Sequence, residues 1–199
     1  MLGHDTENQR GMTLLEVIVV MTIFLIISTI VLSFFPKTVN DFYKIQATNF
    51  VTVEQVRVLD RIAQVLRGSA NILNAQPSIL TTHAYFWPND EKPSRVTYKY
   101  DAASKTVLVE WIPASGSAPS YTYNSADRKT AVLLRNIELT EDLFKYYDKN
   151  GGPGPFSLAS YKNISKITIS LHKKPITSGN IQSTNLQTSV VLRNMKGIF

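Results

Sequence analysis

An apolar run near the N-terminus is the clearest pattern in the sequence. Val17 to Phe35 spans nineteen residues without a charged side chain. As a helix, residues 12–35 would be roughly 36 Å long at about 1.5 Å per residue, and a bilayer's hydrocarbon core is about 30 Å thick. A secretory signal peptide has a shorter apolar region, of about 7–15 residues, before a small-residue cleavage site. The pattern therefore predicts a membrane-spanning helix over 12–35.

A second helical pattern follows Pro36. Proline lacks an N–H and its ring clashes with the preceding turn, so a kink or a break is expected there. Beyond it, apolar residues recur every three or four positions through a charged background. They include Phe42, Ile45, Val53, Val56 and Leu66. This spacing predicts an amphipathic helix from about Val39 to Arg67, capped by Gly68, within a segment 36–68.

The rest of the chain alternates apolar and polar residues, with turn-forming residues in between, as β-strands do. A hairpin is predicted around Asp101-Ala102-Ala103-Ser104, from Arg95–Tyr100 and Thr106–Ile112. The other predicted strands are Ala84–Trp87, Ala131–Ile137, Phe144–Tyr147, Ile164–His172 and Leu186–Leu192, with Tyr121–Asn124 extending the meander. Turns are expected at 151–155 and 178–180. We expect an α+β fold, in which the long N-terminal helix packs on an antiparallel β-sheet within a β-rich domain, 69–199.

Composition excludes several kinds of chemistry. The chain has no cysteine, so disulfides and cysteine-ligated metals are excluded. His4, His83 and His172 are far apart in sequence, and no serine lies in a Gly-x-Ser-x-Gly or Ser-x-x-Lys motif on a suitable scaffold. The formal net charge of +6 is spread along the chain, which gives only a mild preference for anionic surfaces. We therefore predict no enzyme active site and a structural role for His83 and His172.

One acidic residue, Glu16, lies just inside the apolar run. A carboxylate in a membrane helix costs about 2.5–3.5 kcal/mol at the bilayer centre and less near its edge, so such a residue calls for a partner. One interpretation places Glu16 at the interface, where its side chain reaches water. The other interpretation pairs the carboxylate of Glu16 with a specific cation. The residues around Glu16 help to decide between these two interpretations.

The string Arg10-Gly11-Met12-Thr13-Leu14-Leu15-Glu16-Val17 resembles the processing site of type IV prepilins. In that family a hydrophilic leader ends in a glycine, a peptidase cuts after it on the cytoplasmic side, and a glutamate is the fifth mature residue. The resemblance implies a leader 1–11, cleavage between Gly11 and Met12, and N-methylation of Met12 by the same enzyme. It also implies that Glu16 neutralises an N-terminal amine during assembly. Met12 departs from the phenylalanine usual at that position.

This resemblance carries expectations about location and partners. The domain after Pro36 would lie outside the cell membrane, on a single-pass inner-membrane anchor or in a cell-surface or periplasmic filament. The partners would be prepilin peptidase, other pilin or pseudopilin subunits and the inner-membrane assembly platform. Later segments around 144–148, 167–171 and 188–194 resemble minor pilins and type II secretion pseudopilins. We therefore expect a filament subunit, minor rather than major, serving adhesion, motility, DNA uptake or protein secretion.

A calcium loop is the one cofactor hypothesis that the sequence raises. Asp148-Lys149-Asn150-Gly151 has alternating oxygen ligands and a turn glycine, so Asp148 and Asn150 are weak candidate ligands. The segment lacks the third ligand and the distal glutamate of a complete calcium loop. A plain turn is the competing interpretation.

Two other classes of function stay open. The first is a filament-borne binding module, either an adhesin or a DNA receptor. Many aromatic residues lie near the basic residues Lys92, Arg95, Lys99 and Lys105. Aromatic rings can stack on nucleic-acid bases, and basic side chains can neutralise the phosphates. These aromatics are Tyr85, Phe86, Trp87, Tyr98, Tyr100, Trp111, Tyr121, Tyr123, Tyr146 and Tyr147. Packing in the core and across strands is the competing explanation. The second is a membrane-anchored sensor or enzyme with an uncleaved helix.

Overall fold

The computed structural model describes residues 13–139, 141–173 and 184–192. Its helix, α1, runs from Leu14 to Arg67 and comprises 54 residues. The helix continues through Pro36, so the break allowed for at that residue is absent. In apolar surroundings, backbone N–H and C=O groups must form hydrogen bonds within the chain, and a helix pairs most of them. Because proline removes only one N–H, continuing the helix through Pro36 keeps the other hydrogen bonds. The leader, Gly11, Met12 and the turn at 178–180 lie outside the described residues.

The chain divides into two compact units, Met1–Ile45 and Gln46–Phe199. The described part of the first unit is almost entirely helix, from Leu14 onward. The second contains the C-terminal part of α1 and all ten strands that the structure assigns within the described ranges. The strands are β1 (Asn71–Gln76), β2 (Ile79–Ala84), β3 (Ser94–Asp101), β4 (Thr106–Ile112), β5 (Ser115–Ser117), β6 (Ser120–Thr122), β7 (Lys129–Arg135), β8 (Phe144–Asp148), β9 (Ile164–Lys173) and β10 (Thr184–Val191). Two 3-10 helices lie at Ser125–Asp127 and Leu158–Asn163.

The strands form antiparallel sheets. A five-stranded sheet has the order β1-β2-β3-β4-β7, and a three-stranded sheet has the order β10-β9-β8. The predicted hairpin is confirmed as β3 and β4, with Asp101 opposite Thr106. The α+β fold class is also confirmed, because a long N-terminal helix packs on antiparallel sheets.

Three strand predictions need correction. The hairpin of β1 and β2 was not predicted, although Pro77-Ser78 separates two short runs there. The predicted strand Ala84–Trp87 is wrong, because β2 ends at Ala84 and a turn follows, in which the amide of Trp87 donates to the Asp90 carboxylate at 2.8 Å. The segment predicted at Tyr121–Asn124 does not extend the large sheet, since β6 pairs with β5 in a separate two-stranded sheet.

The core lies between the C-terminal part of α1 and the two larger sheets. Ile62 and Leu66 of the helix are fully buried in the same cluster as Leu80, Val96 and Ile167 of the strands. Burying one such side chain contributes about 1.5–3 kcal/mol. The helix ends as predicted, at Arg67, where the amide of Gly68 donates to the carbonyl of the preceding turn at 3.2 Å.

A buried polar contact joins the helix to the smaller sheet. The side-chain amide of Gln55 donates to the backbone carbonyl of Leu171 at 3.2 Å, and Gln55 has no exposed surface. A buried amide needs such a partner, because leaving it unsatisfied costs about 1–3 kcal/mol. Gln55 therefore ties one helix position to one residue of β9, in addition to the apolar packing.

Candidate functional site

The first turn of α1 holds Glu16, which belongs to the predicted processing and assembly site. The backbone amide of Glu16 donates to the Thr13 hydroxyl at 3.3 Å, and the amide of Val17 donates to the Thr13 carbonyl at 3.2 Å. Thr13 is thus the N-cap, and Glu16 is the third residue of the helix. A carboxylate in the first turn is stabilised by the partial positive charge of the helix N-terminus, typically by about 0.3–1 kcal/mol.

The cap of Thr13 is a feature that the sequence analysis missed. A threonine followed three positions later by a glutamate, ahead of an apolar run, is the sequence signature of a capping box. Thr13-Leu14-Leu15-Glu16 has that spacing. The signal for this cap is therefore present in the sequence.

After this turn the helix is apolar and uncovered. Leu14 is 81% exposed and Phe35 67% exposed, and the large apolar residues between them are exposed as well. Within the described residues, α1 is the one helix long and apolar enough to cross a membrane. An apolar surface of this length is stable only when lipid or protein covers it.

Three of the hydroxyl groups on this stretch are satisfied within the helix itself. They donate to carbonyls of the preceding turn: Thr22 to Ile18 at 2.8 Å, Thr29 to Leu25 at 2.8 Å and Ser33 to Ile30 at 2.7 Å. A polar group in hydrocarbon has no water to bond, so this internal pairing removes most of the cost of placing a threonine or serine there. The side chains of the helix are thus compatible with a membrane interior.

Comparison with protein families identifies this end of the chain. Residues 7–32 match the model of the prokaryotic N-terminal methylation motif. The chain carries the prepilin signature of type IV pilin-like proteins. That signature implies in general an interaction with prepilin peptidase and with other pilins, and it marks a structural rather than an enzymatic class of protein. No curated protein matches the chain.

The apolar N-terminal helix fits the membrane anchoring that is typical of pilins. Glu16 is placed by the structure, whereas Gly11 and Met12 lie outside the described residues. The matched motif covers all three positions. Cleavage after Gly11, methylation of Met12 and charge neutralisation by Glu16 stay predictions.

The predicted calcium ligands, Asp148 and Asn150, lie at the end of β8 and in the tight turn that follows it. One carboxylate oxygen of Asp148 accepts the amides of Asn150 and Gly152, each at 2.8 Å. The backbone of Asp148 also pairs with Gly152, at 3.0 Å. Among the described residues, no three histidine, aspartate or glutamate side chains cluster as metal ligands would. The observed contacts account for Asp148 as a turn residue, and calcium binding stays a prediction.

The aromatic residues considered for nucleic acid are divided between core and surface. Phe86, Tyr98 and Tyr146 are buried, as packing would require, and burial raises the pKa of Tyr98 and Tyr146 above the usual tyrosine value. Trp87 is 51% exposed, and the guanidinium of Arg61 lies 4.7 Å from its ring centroid. The nearby charges are also partly neutralised: Lys99 pairs with Glu110, and Glu110 pairs with Arg128 at 3.6 Å.

A second aromatic cluster of the β-rich domain surrounds His83 on β2. Its ring stacks on Tyr123 with centroids 4.5 Å apart, and the guanidinium of Arg95 lies 4.8 Å from the same tyrosine ring. Burial, and secondarily the charge of Arg95, lower the pKa of His83 to about 4. His83 is thus neutral at pH 7 and packs as a flat ring on Tyr123, and its structural role stays a prediction.

This cluster predicts an acid-sensitive contribution to stability. The folded state holds the pKa of His83 below the unfolded value of 6.5, so stability is fully present above pH 6.5 and is lost as the pH falls towards 4. Because the ring is only half-buried, solvent screening reduces the expected loss to about 1–2 kcal/mol. Thermal unfolding of the detergent-solubilised chain at pH 7, 5.5 and 4 measures it. A His83→Gln chain with the same pH dependence as wild type would contradict this assignment.

Proposed function

We propose that this chain is a prepilin, cut after Gly11, whose mature form is a structural subunit of a type IV pilus-like filament. The supporting observation is one helix end that combines three features. The methylation motif spans residues 7–32, Glu16 lies in a capped first turn, and an uncovered apolar helix follows directly. No single feature is specific, but a membrane anchor alone requires neither the motif nor the acidic residue.

The chemistry of the helix end supports assembly rather than simple anchoring. Cleavage after Gly11 creates a positive amine at Met12, four residues before Glu16 and so about one helical turn away. In a low dielectric, an amine and a carboxylate neutralise each other far more strongly than in water. When helices pack side by side, the carboxylate of one subunit can serve the amine of the next, which sets their register.

The proposed organisation follows from this role. Residues 1–11 form the leader, 12–35 the span that becomes the filament core, 36–68 the amphipathic half of the helix, and 69–199 the domain displayed outside. The domain would be extracytoplasmic, on an inner-membrane anchor before assembly and on a cell-surface or periplasmic filament afterwards. Its partners would be prepilin peptidase, other pilin or pseudopilin subunits and the assembly platform. It would perform no catalysis.

The N-terminus of the mature chain tests this proposal. Intact-mass and N-terminal peptide mass spectrometry would be applied to the membrane fraction of a wild-type strain and of a strain lacking prepilin peptidase. We expect an N-methylated Met12 terminus in wild type and the full Met1 chain in the peptidase-deficient strain. A Met1 chain in both strains would refute the proposal and favour an anchored sensor or enzyme.

A further inference from the structure

The edges of the two larger sheets differ in how open they are to a further strand. An edge strand presents unpaired backbone N–H and C=O groups and so forms a template for another extended chain. Proteins normally block such edges with bulges, charges, prolines or covering segments. The edges here are β1 and β7 of the large sheet and β8 and β10 of the smaller one.

The edge of β8 is closed by backbone hydrogen bonds. Its outward groups are paired at three positions: the Phe144 amide with the Pro77 carbonyl at 3.0 Å, the Tyr146 carbonyl with the Gly154 amide at 2.9 Å, and the Asp148 amide with the Gly152 carbonyl at 3.0 Å. Pro153 also pairs with Tyr147 as an isolated bridge. A proline-containing loop thus occupies the place of the next strand.

The two edges of the large sheet are blocked in other ways. β1 contains an irregularity between Ile72 and Asn74, and the 3-10 helix Leu158–Asn163 packs beside it. β7 has a basic residue at each end, Lys129 and Arg135, and its register with β4 is also interrupted. In an antiparallel pair of two β7 strands these cations would oppose each other, which is destabilising.

Among the described residues, the edge of β10 has none of these devices. Its eight residues, Thr184–Val191, contain no charge, proline or glycine, and they pair with β9 in one unbroken register. The amide of Leu192 donates to the Ser165 carbonyl at 2.8 Å. Because the direction of backbone groups alternates along a strand, Leu186, Thr188 and Val190 then face β9. The backbone groups of the intervening residues point away from the sheet: Asn185, Gln187, Ser189 and Val191.

In the part of the chain that the structure describes, no strand pairs with this outward side of β10. The side chains of Asn185, Gln187, Ser189 and Val191 are exposed, Val191 by 61%. We propose that this edge is a docking site for an extended segment of another polypeptide, which adds to the sheet as its next strand. The occupant is a polypeptide because only a backbone matches an evenly spaced row of alternating donors and acceptors.

The two faces of β10 specify the chemistry of that segment. One face carries Leu186, Thr188 and Val190, so an added strand places apolar or β-branched residues opposite them. The other face has a row of hydroxyl and amide groups: the Ser189 and Thr168 hydroxyls lie 2.9 Å apart, and the Gln187 amide donates to Ser170 at 3.2 Å. The segment therefore alternates apolar residues with serine, threonine, asparagine or glutamine. This inference does not depend on cleavage after Gly11.

A peptide with the sequence of β9, Ile164–Leu171, is a suitable probe. Its residues Ile167–Leu171 have this alternation, and the strand already matches β10 on the opposite side. Binding to the full chain in detergent would be followed by fluorescence anisotropy. Hydrogen exchange would locate the contact: we expect slowed exchange at the amides of Asn185, Gln187, Ser189 and Val191. The amides of Leu186, Thr188 and Val190 should not change. No binding, or protection elsewhere, would overturn the proposal.

The variant Ser189→Pro removes one outward N–H without removing a backbone hydrogen bond to β9. Ser189→Ala is its matched control, because both variants lose the hydroxyl contact with Thr168 of β9. We expect about tenfold weaker binding for Ser189→Pro and near wild-type binding for Ser189→Ala. Val191→Lys, which adds an edge charge at an exposed position, should weaken binding without affecting the fold. Equal binding by wild type, Ser189→Pro and Val191→Lys would overturn the assignment of this edge.

Discussion

We expect Glu16→Gln chains to be cleaved normally but to enter filaments about tenfold less often than wild type or worse. The substitution keeps the size of the side chain and removes its charge. The Thr13 cap bonds the backbone amide of residue 16, not its carboxylate, so the helix start should survive the change. The defect should therefore appear in assembly and not in folding.

The magnitude follows from the proposed amine–carboxylate contact. Two opposite charges 4 Å apart interact by about 1 kcal/mol in water and about 4 kcal/mol at a partly shielded site, and each 1.4 kcal/mol corresponds to a factor of ten. Without the carboxylate, the amine of each incoming subunit enters an apolar environment unpaired. That cost falls on every subunit contact along the filament.

Asp41→Asn is the matched control for this prediction. Asp41 is another acidic residue of α1, exposed and 3.7 Å from Lys44 in an ordinary surface ion pair. Quantifying the chain in sheared filaments against the chain left in the membrane, with intact mass to verify cleavage, measures both variants. Equal assembly of Glu16→Gln and Asp41→Asn would show that Glu16 has no special role.

Gly11→Val should block processing almost completely. Glycine has no Cβ, so a peptidase that accepts it before the scissile bond needs no pocket for a side chain there, and a branched residue adds bulk at the reacting carbonyl. We expect the variant to accumulate as an unmethylated Met1 chain. Filaments should then contain none of it, because the leader would stay attached to the end of the apolar helix.

The leader provides its own control in Gly3, which lies eight residues before Gly11. Gly3→Val introduces the same side chain away from the proposed bond, and we expect normal cleavage and a methylated Met12. Intact-mass spectrometry of membrane fractions distinguishes the two variants. Cleavage of Gly11→Val at the wild-type position would place the recognition elsewhere in the motif.

Local features of this protein were predictable from the sequence because they depend on residues close together in the chain. The end of α1 at Arg67 and the β3–β4 hairpin follow from spacing and turn residues alone. The same holds for the candidate site: Gly11, Met12 and Glu16 lie within six consecutive residues, and their spacing can be read without a fold. The cap by Thr13 is also local, since the spacing of Thr13 and Glu16 is that of a capping box.

The course of the chain at Pro36 and after Ala84 was not predictable in this way, because local residue preferences compete there with contacts to the rest of the structure. Pro36 disfavours a helix by about 3 kcal/mol or more as a local effect, yet α1 continues through it. The segment after Ala84 has the aromatic residues of a strand, but the Trp87–Asp90 turn and the Arg61 contact with the Trp87 ring keep it out of the sheet. In both cases hydrogen bonds and packing outweigh the preference of the individual residues.

The sequence by itself determined the apolar anchor, the prepilin signature and the α+β class, because periodicity and motif spacing are properties of adjacent residues. Only the tertiary structure decided which strands meet and that His83 stacks on Tyr123. It also showed that, within the described residues, no strand pairs with the outer side of β10, whereas a loop pairs with the outer side of β8. Those facts depend on where distant segments come together, and many strand orders are compatible with the same alternating pattern.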